Sequence, residues 1–269
     1  MTIPGVRMLK GPRSLLKGIA AAGSIAAGLV LAAGPAALAD ATFTPEQKSA
    51  IEKIVKEYFL ANPEVFLEIQ TQLESKMEKI QAERLKVAIT ENAKEIFKRP
   101  NAPMAGNPAG DITVVEFFDY NCGYCKKGLP EIVKLIDKDP KIKVVFKELP
   151  ILSKGSDEAA RVALAARMQG KYWEVHRALL EAKGQVNEAS ALAIATKLGL
   201  DGAKLKKDMD SAEVKEEIAK VRELAQKMGV NGTPHFLVGD RSIPGAPQDL
   251  FEQIAQHAAE LRKTGCSVC

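Results

Sequence analysis

Two cysteines, Cys122 and Cys125, stand two residues apart between two different sequence patterns. An apolar run, Ile112–Phe118, precedes them, and a helical pattern follows them. The run predicts a buried strand, so the C-x-x-C lies at the turn from a strand into a helix. Unpaired backbone N–H groups and the positive end of the helix dipole at such a turn favour a thiolate. The pattern therefore predicts Cys122 as the nucleophile, with Cys125 able to close a disulfide with it.

The same spacing is also compatible with half of a zinc site or with a purely structural disulfide. A tetrahedral thiolate site needs two such pairs, and the second pair, Cys266 and Cys269, ends the chain. A disulfide one helical turn long restricts the unfolded chain only a little. The strand before the motif and the helix after it therefore favour thiol–disulfide exchange.

The start of the chain differs in composition from the rest, which is typical of a globular protein with 46% hydrophobic and 27% charged residues. In residues 1–39, basic residues precede a long uncharged stretch that ends in Ala-Leu-Ala. This pattern predicts a secretory signal peptide, although the stretch is also long enough to be an uncleaved anchor. We expect a periplasmic location, where disulfides persist.

The charges balance once the predicted signal peptide is removed. The whole chain has 38 basic and 34 acidic residues, and four of the basic residues lie in residues 1–39. The remainder has a formal charge of zero, so we expect no nucleic-acid partner. We also expect no cofactor.

Residues 40–98 predict an N-terminal helical segment. A Thr-Pro-Glu sequence at residue 44 opens a first helix, and a second helical pattern runs from Glu64 to about Lys98. An apolar stripe with a spacing of three or four follows the second pattern: Phe66, Ile69, Leu73, Met77, Ile80, Leu85, Ile89, Ala93 and Ile96. The stripe must be buried against the rest of the chain or against other copies. Its length of about four heptads favours a homo-oligomer through residues 44–98.

The remaining segments alternate between strand and helix patterns. Residues 99–110 are rich in Pro, Gly and Asn and predict a linker. A strand is predicted at residues 141–149, and a helical block of about four helices at residues 153–229. A short β-hairpin then starts at His235, and a last helix covers residues 248–263.

This order of elements predicts an α/β protein with a thioredoxin fold and an inserted all-helical domain. Residues 111–152 and 230–263 would form the thioredoxin-fold domain, and residues 153–229 the insertion. The amphipathic helical segment precedes both, and residues 264–269 form a C-terminal C-x-x-C tail.

Four segments resemble the DsbA family of exported thiol–disulfide oxidoreductases: VVEFFDYNCGYCK, VVFKELPIL, YWEVHRALLEA and GVNGTPHFLVGD. The N-terminal sequence NPEVFLEIQTQLE resembles the extra helical segment of the ScsC-like branch, named for suppression of copper sensitivity. The resemblance implies protein substrates that contain cysteines and a membrane or periplasmic redox partner.

The resemblance also implies roles for residues around the cysteines. Gly123 and Tyr124 form the dipeptide of the DsbC-like isomerases, which implies a milder oxidant than the Pro-His members. Pro234 matches a cis-proline that lies against the active site, and the backbone of Thr233 would pair with an extended substrate. A threonine at that position resembles isomerase and reductase members. Without the cysteine motif, Gly-Thr-Pro would predict only a turn.

Three charged or titratable residues are candidates for adjusting the pKa values of the cysteines. Glu116 lies in the apolar strand, and the resemblance implies that it accepts or relays the proton of Cys125. Lys147 is predicted equally to pair with Glu116 or to point into solvent. His235 follows the proline, where a positive charge would favour a thiolate.

The other histidines and aromatics receive structural predictions. His176 is expected on a helix surface and His257 in the last helix. We predict that Tyr172 and Trp173 lie in the core of the inserted domain.

The C-terminal pair, Cys266 and Cys269, permits three interpretations. The three are a second redox pair, a two-thiolate site for Cu(I), and a local disulfide on a mobile tail. For the whole chain we expect an exported enzyme that isomerises or reduces protein disulfides. The alternatives are a net dithiol oxidase of the DsbA type and a periplasmic copper-binding protein.

Overall fold

The computed structural model describes residues 43–269. Residues 1–42, which include the predicted signal peptide, lie outside the described part of the chain. The elements in chain order are α1 Pro45–Ala61, α2 Glu64–Glu91, α3 Ala93–Phe97, β1 Met104–Gly106, β2 Ile112–Phe118, α4 Gly123–Lys138, β3 Ile142–Glu148, α5 Lys154–Arg167, α6 Tyr172–Glu181, α7 Glu188–Lys197, α8 Gly202–Asp208, α9 Ala212–Met228, β4 His235–Val238, β5 Arg241–Pro244 and α10 Leu250–Thr264. No helix among residues 43–269 has the length and apolar character needed to cross a bilayer.

Helix α1 belongs to a first compact unit that ends at Pro63, and all other elements belong to a second unit, Glu64–Cys269. The predicted capping box opens α1. Thr44 Oγ1 accepts a hydrogen bond from the Gln47 N–H at 3.2 Å, and Gln47 Oε1 accepts one from the Thr44 N–H at 2.9 Å. These bonds satisfy donors that the helix itself leaves unpaired.

Five strands form one mixed sheet in the order β1-β3-β2-β4-β5. Strands β2 and β3 are parallel and joined through α4, whereas β4 pairs antiparallel with β2 and with β5. Helices α5–α9 form the predicted insertion between β3 and β4. The fold is therefore a thioredoxin fold with inserted helices, and its central strand β2 is buried along its whole length.

Each face of the sheet carries its own hydrophobic core. Val114 and Phe118 of β2 pack in the core that also contains the two active-site cysteines and residues of α4, α5, α6 and α10. Val115 and Phe117 pack in a second core with Ile89 of α2, and with α3 and α9. The alternation of side chains along β2 thus assigns each functional residue of the strand to one face.

The linker predicted at residues 99–110 contains an unpredicted edge strand, β1, which pairs antiparallel with β3. Gly106 adopts a left-handed φ of 78°, and a Cβ there would lie 2.6 Å from the Ile142 carbonyl oxygen. The glycine that indicated a linker is therefore needed for the close approach of two strands.

The prediction of about four inserted helices was also wrong, because a short helix, α8, precedes α9.

The apolar stripe of the second helical pattern is divided in the structure. The pattern forms two helices, because α2 ends at Glu91 and α3 starts at Ala93. Ile89 and Ile96 are fully buried in the second core. Ile69 and Leu73 remain 51% and 57% exposed. Only the C-terminal part of the stripe is therefore covered by the same chain.

His176 is fully buried, so the prediction that it lies on a helix surface was wrong. Its ring packs against Phe146 with centroids 4.2 Å apart, and burial lowers its pKa to about 3. Its Nδ1 atom is 3.2 Å from the Tyr120 hydroxyl, and the Tyr120 and Tyr172 hydroxyls both donate to the buried Glu148 carboxyl. Tyr172 is buried as predicted, and its neighbours form a polar network inside the core.

The C-terminal tail is packed on the domain rather than mobile, which corrects one part of that interpretation. Cys266 and Cys269 form a disulfide, and Val268 between them is only 4% exposed within the second core. A Cβ on Gly239, in the β4–β5 turn, would lie 3.2 Å from Cys266 Sγ. The tail therefore folds against the far end of the hairpin.

Candidate active site

The loop between β2 and α4 is held by the carboxylate of Asp119. Its Oδ1 atom accepts the N–H of Asn121 at 2.8 Å, and its Oδ2 atom accepts the N–H groups of Ile151 and Leu152 at 2.9 and 3.0 Å. The Asp119 carbonyl accepts the Cys122 N–H at 3.0 Å. One buried side chain thus fixes both the residue before the nucleophile and the turn after β3.

Cys122 occupies the N-cap position of α4, immediately before the first helical residue. Its pKa is lowered to about 5, chiefly by a hydrogen bond from the Cys125 thiol, and also by Thr233 and the backbone N–H groups of Cys125 and Tyr124. These are the donors that a helix N-terminus provides to an anion. Cys122 is therefore a thiolate at neutral pH.

Cys125 has the opposite environment one helical turn later. It is fully buried, and burial raises its pKa, with further contributions from its hydrogen bond to Cys122 and from the nearby Glu116 charge. Both cysteines are free thiols in the structure. The two sulfurs of the motif therefore differ strongly in their tendency to ionise.

The loop before β4 lies directly against the first sulfur. The Thr233–Pro234 bond is cis, as the resemblance implied. The thiol of Cys122 donates to the Thr233 carbonyl at 3.1 Å, and the Pro234 carbonyl accepts the N–H of Gly245 at 2.8 Å. The structure thus brings Cys122, Thr233 and Pro234 together.

Glu116 lies on the cysteine-bearing face of the sheet, between Phe146 of β3 and Phe236 of β4. It is 2% exposed, and burial raises its pKa to about 8, with the Cys122 thiolate adding to the shift. A carboxyl with this pKa can hold or release a proton near neutral pH.

Lys147 is not the charge partner of Glu116, so this prediction was wrong. In the parallel register Lys147 is opposite Phe117, and it therefore points to the other face of the sheet. The alternative expectation of a solvent-facing lysine was also wrong, because Lys147 is 1% exposed. Its Nζ atom donates to the Glu95 carbonyl at 2.7 Å, and burial lowers its pKa to about 8.

His235 provides no positive charge for the thiolate at neutral pH, which corrects the expectation for this residue. It is opposite Phe117 in the sheet, on the face away from the cysteines. Burial lowers its pKa to about 4, and its Nε2 atom is 2.9 Å from the Ser242 hydroxyl. The ring is therefore neutral and bonded to the neighbouring strand.

The two residues between the cysteines differ in their surroundings. A Cβ on Gly123 would have no heavy atom within 4 Å, so packing does not require a glycine there. Tyr124 is 61% exposed, and the Lys127 ammonium lies 5.2 Å from its ring centroid. Tyr124 therefore forms part of the surface beside Cys122.

Several residues of this site were missed by the sequence analysis. Asp119 follows a strand like any loop residue, and Ile151 and Leu152 follow a strand-ending proline. Ile151 and Leu152 are 45% and 54% exposed, although Asp119 ties their backbone to the catalytic loop. Their sequence carried no signal, because the contact joins positions more than thirty residues apart.

Among residues 43–269 no three His, Cys, Asp or Glu side chains are grouped closely enough to hold an ion. Cys266 and Cys269 are joined to each other, and a disulfide has no thiolate to offer a metal.

Comparison with curated proteins finds partial matches. The Na(+)/H(+) antiporter NhaA 1 of Salinispora arenicola is 32% identical over 137 residues, which cover 50% of this chain and 21% of the antiporter. The thiol:disulfide interchange protein DsbA of Bordetella parapertussis is 28% identical over 146 residues, which cover 52% of this chain and 69% of DsbA. The chain thus spans about a fifth of the antiporter's length and about two thirds of DsbA's.

Solved structures match more completely. A thioredoxin-like oxidoreductase from Silicibacter pomeroyi is 49% identical with a TM-score of 0.61, covering 63% of this chain and 97% of that chain. The thiol-disulfide exchange protein α-DsbA2 from Wolbachia pipientis is 31% identical with a TM-score of 0.63, covering 68% and 98%. A variant of Proteus mirabilis ScsC shares the fold at 22% identity, with a TM-score of 0.63 and coverage of 84% and 99%.

Two protein families match separate parts of the chain. The DSBA-like thioredoxin domain covers residues 113–257, which is more than half of the chain and contains both Cys122 and Pro234. The N-terminal domain of the copper resistance protein ScsC covers residues 47–79. The chain belongs to the DSBA-like thioredoxin family, and its N-terminal segment is similar to the N-terminal domain of ScsC.

Proposed function

We propose that this chain is an exported protein thiol–disulfide oxidoreductase. The observation that carries the proposal is the contrast between Cys122, whose pKa is lowered to about 5, and Cys125, whose pKa burial raises. A thiolate attacks a disulfide faster than a thiol does, and a low-pKa thiolate is also the better leaving group. The contrast supports Cys122 as the attacking residue and Cys125 as the resolving residue.

The reaction cycle conserves electrons and protons at each step. The Cys122 thiolate attacks one sulfur of a substrate disulfide, and the other substrate sulfur leaves as a thiolate. Cys125 then loses its proton, for which Glu116 is the nearby acceptor, and attacks Cys122. The substrate leaves with both sulfurs reduced, and the enzyme retains the disulfide. If the freed substrate thiolate first attacks a second disulfide of the substrate, that disulfide releases a different substrate thiolate. When this thiolate attacks the substrate sulfur of the mixed disulfide, the substrate acquires a new disulfide pairing and the Cys122 thiolate is regenerated.

We propose isomerisation or reduction as the principal direction. Gly123, Tyr124 and Thr233 support it through their resemblance to isomerase and reductase members. The Cys122 pKa of about 5 lies between about 7 for thioredoxin and about 3.5 for DsbA. A lower pKa stabilises the dithiol and makes the disulfide more oxidising, so net dithiol oxidation is the alternative.

Exposed apolar side chains around the nucleophile support a protein substrate. Within residues 92–269 the large hydrophobic side chains that remain exposed are Tyr124, Ile151 and Leu152. Tyr124 lies in the first turn of α4, and Asp119 accepts the backbone N–H groups of Ile151 and Leu152 beside the same turn. Such side chains are typical of a surface that binds another polypeptide.

We further propose that residues 44–98 form a homo-oligomer. Ile51 and Ile54 of α1, and Ile69 and Leu73 of α2, each expose 42% or more of their surface. Burying an apolar side chain of this size contributes ~1.5–3 kcal/mol, so a second copy is a suitable partner. An assembly would present several Cys122 sites to one misfolded substrate. Reoxidation or reduction then requires a membrane or periplasmic redox partner.

Reactivation of a scrambled, disulfide-containing protein tests the proposal. The full mature chain should restore activity, Cys122→Ser should abolish it, and Cys125→Ser should accumulate a mixed disulfide with the substrate. An unchanged rate in Cys122→Ser would refute the proposal.

Copper binding is tested by titrating the fully reduced protein with Cu(I). Tight binding that is lost in Cys266→Ser but kept in Cys122→Ser would favour the copper alternative.

A further inference from the structure

The α6–α7 loop of the inserted domain, residues 182–187, is bonded to the catalytic motif from both sides. On the far side of the cysteines, Lys126 Nζ donates to the carbonyls of Ala182 and Gly184 at 2.7 and 2.8 Å. On the near side, the Asn121 side chain pairs with the backbone of Val186. The two residues that flank the C-x-x-C motif thus hold one loop of the inserted helices.

Two hydrogen bonds in opposite directions join the Asn121 side chain to the backbone of Val186, as they join the backbones of paired strands. Asn121 Oδ1 accepts the Val186 N–H at 2.7 Å, and Asn121 Nδ2 donates to the Val186 carbonyl at 3.0 Å. A planar amide is needed for this two-way pairing, because it offers a donor and an acceptor side by side. The same Nδ2 atom is 3.2 Å from the Ser156 hydroxyl, so α5 contributes to the contact.

Close packing leaves this loop little freedom. A Cβ on Gly155 of α5 would lie 2.6 Å from the Val186 carbonyl oxygen and 3.6 Å from Asn121 Nδ2. The loop backbone is therefore pressed against α5 while its polar groups bind the motif. The carbonyls of Ala182 and Gly184 and both backbone polar groups of Val186 are thus bonded by side chains that flank the motif.

We propose that Asn121 and Lys126 are positioning residues through which the α6–α7 loop keeps the Cys122–Cys125 turn in its thiolate-stabilising geometry. The inference rests on the proposed function, because both residues would act on the Cys122–Cys125 pair. Stabilisation of the anion at Cys122 depends on short hydrogen bonds from Cys125, Thr233 and the first helical N–H groups. Such bonds weaken steeply as their geometry loosens.

A purely electrostatic role for Lys126 is the competing explanation, and the chain contains a matched control. Lys127 is the next residue of α4 and carries the same charge, but its side chain is exposed and does not reach the loop. Lys126 directs its ammonium at two carbonyl oxygens, and burial lowers its pKa. Removing the charge of either lysine should have a similar long-range effect on the Cys122 pKa. Only a substitution of Lys126 also removes the contact with the α6–α7 loop.

The experiment is a pH titration of the Cys122 thiolate in the reduced mature chain, by ultraviolet absorbance. Lys126→Met and Asn121→Ala should each raise the Cys122 pKa by about one unit, whereas Lys127→Met should change it by less than half of that. The equilibrium with glutathione should shift about tenfold towards the disulfide, which is ~30 mV. Lys126→Arg keeps a hydrogen-bond donor, so its Cys122 pKa should stay close to that of the unaltered protein.

Two outcomes would overturn the inference. Equal shifts in Lys126→Met and Lys127→Met would assign the effect to charge alone. Unchanged pKa values in both Lys126→Met and Asn121→Ala, with both variants folded by circular dichroism, would show that the loop does not position the cysteines. The titration uses no substrate, so its failure is distinct from an absence of turnover in the unaltered protein.

Discussion

The thiol of Cys122 donates a hydrogen bond to the carbonyl oxygen of Thr233, with 3.1 Å between sulfur and oxygen. The two residues are 111 positions apart, and the fold brings them together because β4 pairs with β2 beside α4. The Cys122 sulfur and the backbone that precedes the cis-proline therefore share one small surface. A substrate bound along this backbone would present its disulfide to Cys122.

Cys125 should control the ionisation of Cys122 through its own hydrogen bond. Its thiol is the first cause of the lowered Cys122 pKa. Cys125→Ala removes the donor, so we expect the Cys122 pKa to rise by about one unit or more. Cys125→Ser keeps a hydroxyl donor and should raise it less. The pH dependence of alkylation by iodoacetamide measures both, and equal values in the two variants would contradict this explanation.

Glu116→Gln should stabilise the reduced protein in a pH-dependent way. The native pKa of about 8 lies above the ordinary value of 4.5, so the folded state binds more protons than the unfolded state between these values. Stability from this group is therefore full below about 4.5 and decreases as the pH rises towards 8. The variant should gain ~3 kcal/mol at pH 7 relative to pH 4. Thermal unfolding at the two pH values measures the gain, and a pH-independent difference would count against a buried, titrating Glu116.

The same variant should slow closure of the active-site disulfide. Glu116 is the carboxyl near the buried Cys125 thiol, and general-base catalysis contributes about a hundredfold or more. In the unaltered protein the closure rate should rise as Glu116 ionises near pH 8. Stopped-flow release of a mixed disulfide measures this step. A Glu116→Gln variant that retains both the rate and the inflection would exclude a role as proton acceptor.

Removal of residues 44–80, which leaves Ile89 and Ile96 in the second core, should separate isomerase from oxidase activity. If α1 and the exposed part of α2 assemble copies of the chain, their loss should reduce reactivation of a scrambled protein and leave simple dithiol oxidation intact. A milder test is Leu73→Lys, because Leu73 is 57% exposed and its replacement should not disturb the fold. Light scattering should report a smaller particle, and an unchanged mass would argue against this surface.

The C-terminal disulfide should contribute to stability without affecting the central pair. Cys266→Ser with Cys269→Ser should release Val268 from the second core, and Val268→Ala should cost ~1–2 kcal/mol through a similar loss of packing. Neither change should alter the Cys122 pKa, because the tail lies at the β4–β5 turn, away from Thr233. A shifted Cys122 pKa would instead favour the second redox pair as the role of the tail.

The sequence predicted those features that depend on local patterns. The strand before the cysteines, the N-cap position of Cys122 and the hairpin after Pro234 follow from apolar runs and turn residues. The side to which Lys147 points depends on the β2–β3 register, and no local pattern specifies that register. The orientation assigned to Lys147 was therefore wrong, although Glu116 was correctly predicted to be buried.

Contacts between distant segments were beyond the reach of the sequence. The helical pattern around His176 is compatible with a histidine on the buried or on the exposed face of the helix. Its contacts with Phe146 and Tyr120 show that it is buried. The pairing of Asn121 with Val186 joins residues 65 positions apart. Such pairs arise from the packing of the inserted helices on the sheet, which periodicity does not describe.

The central claim is that the amino end of α4 and the Cys125 thiol together make Cys122 an anion at neutral pH while Cys125 stays protonated. The most direct measurement is the thiolate absorbance of the reduced mature chain as a function of pH, with Cys122→Ser as the reference. We predict one transition with a pKa of about 5 that is absent in the reference. A Cys122 pKa near about 8.5, the value of a free cysteine, would contradict the account.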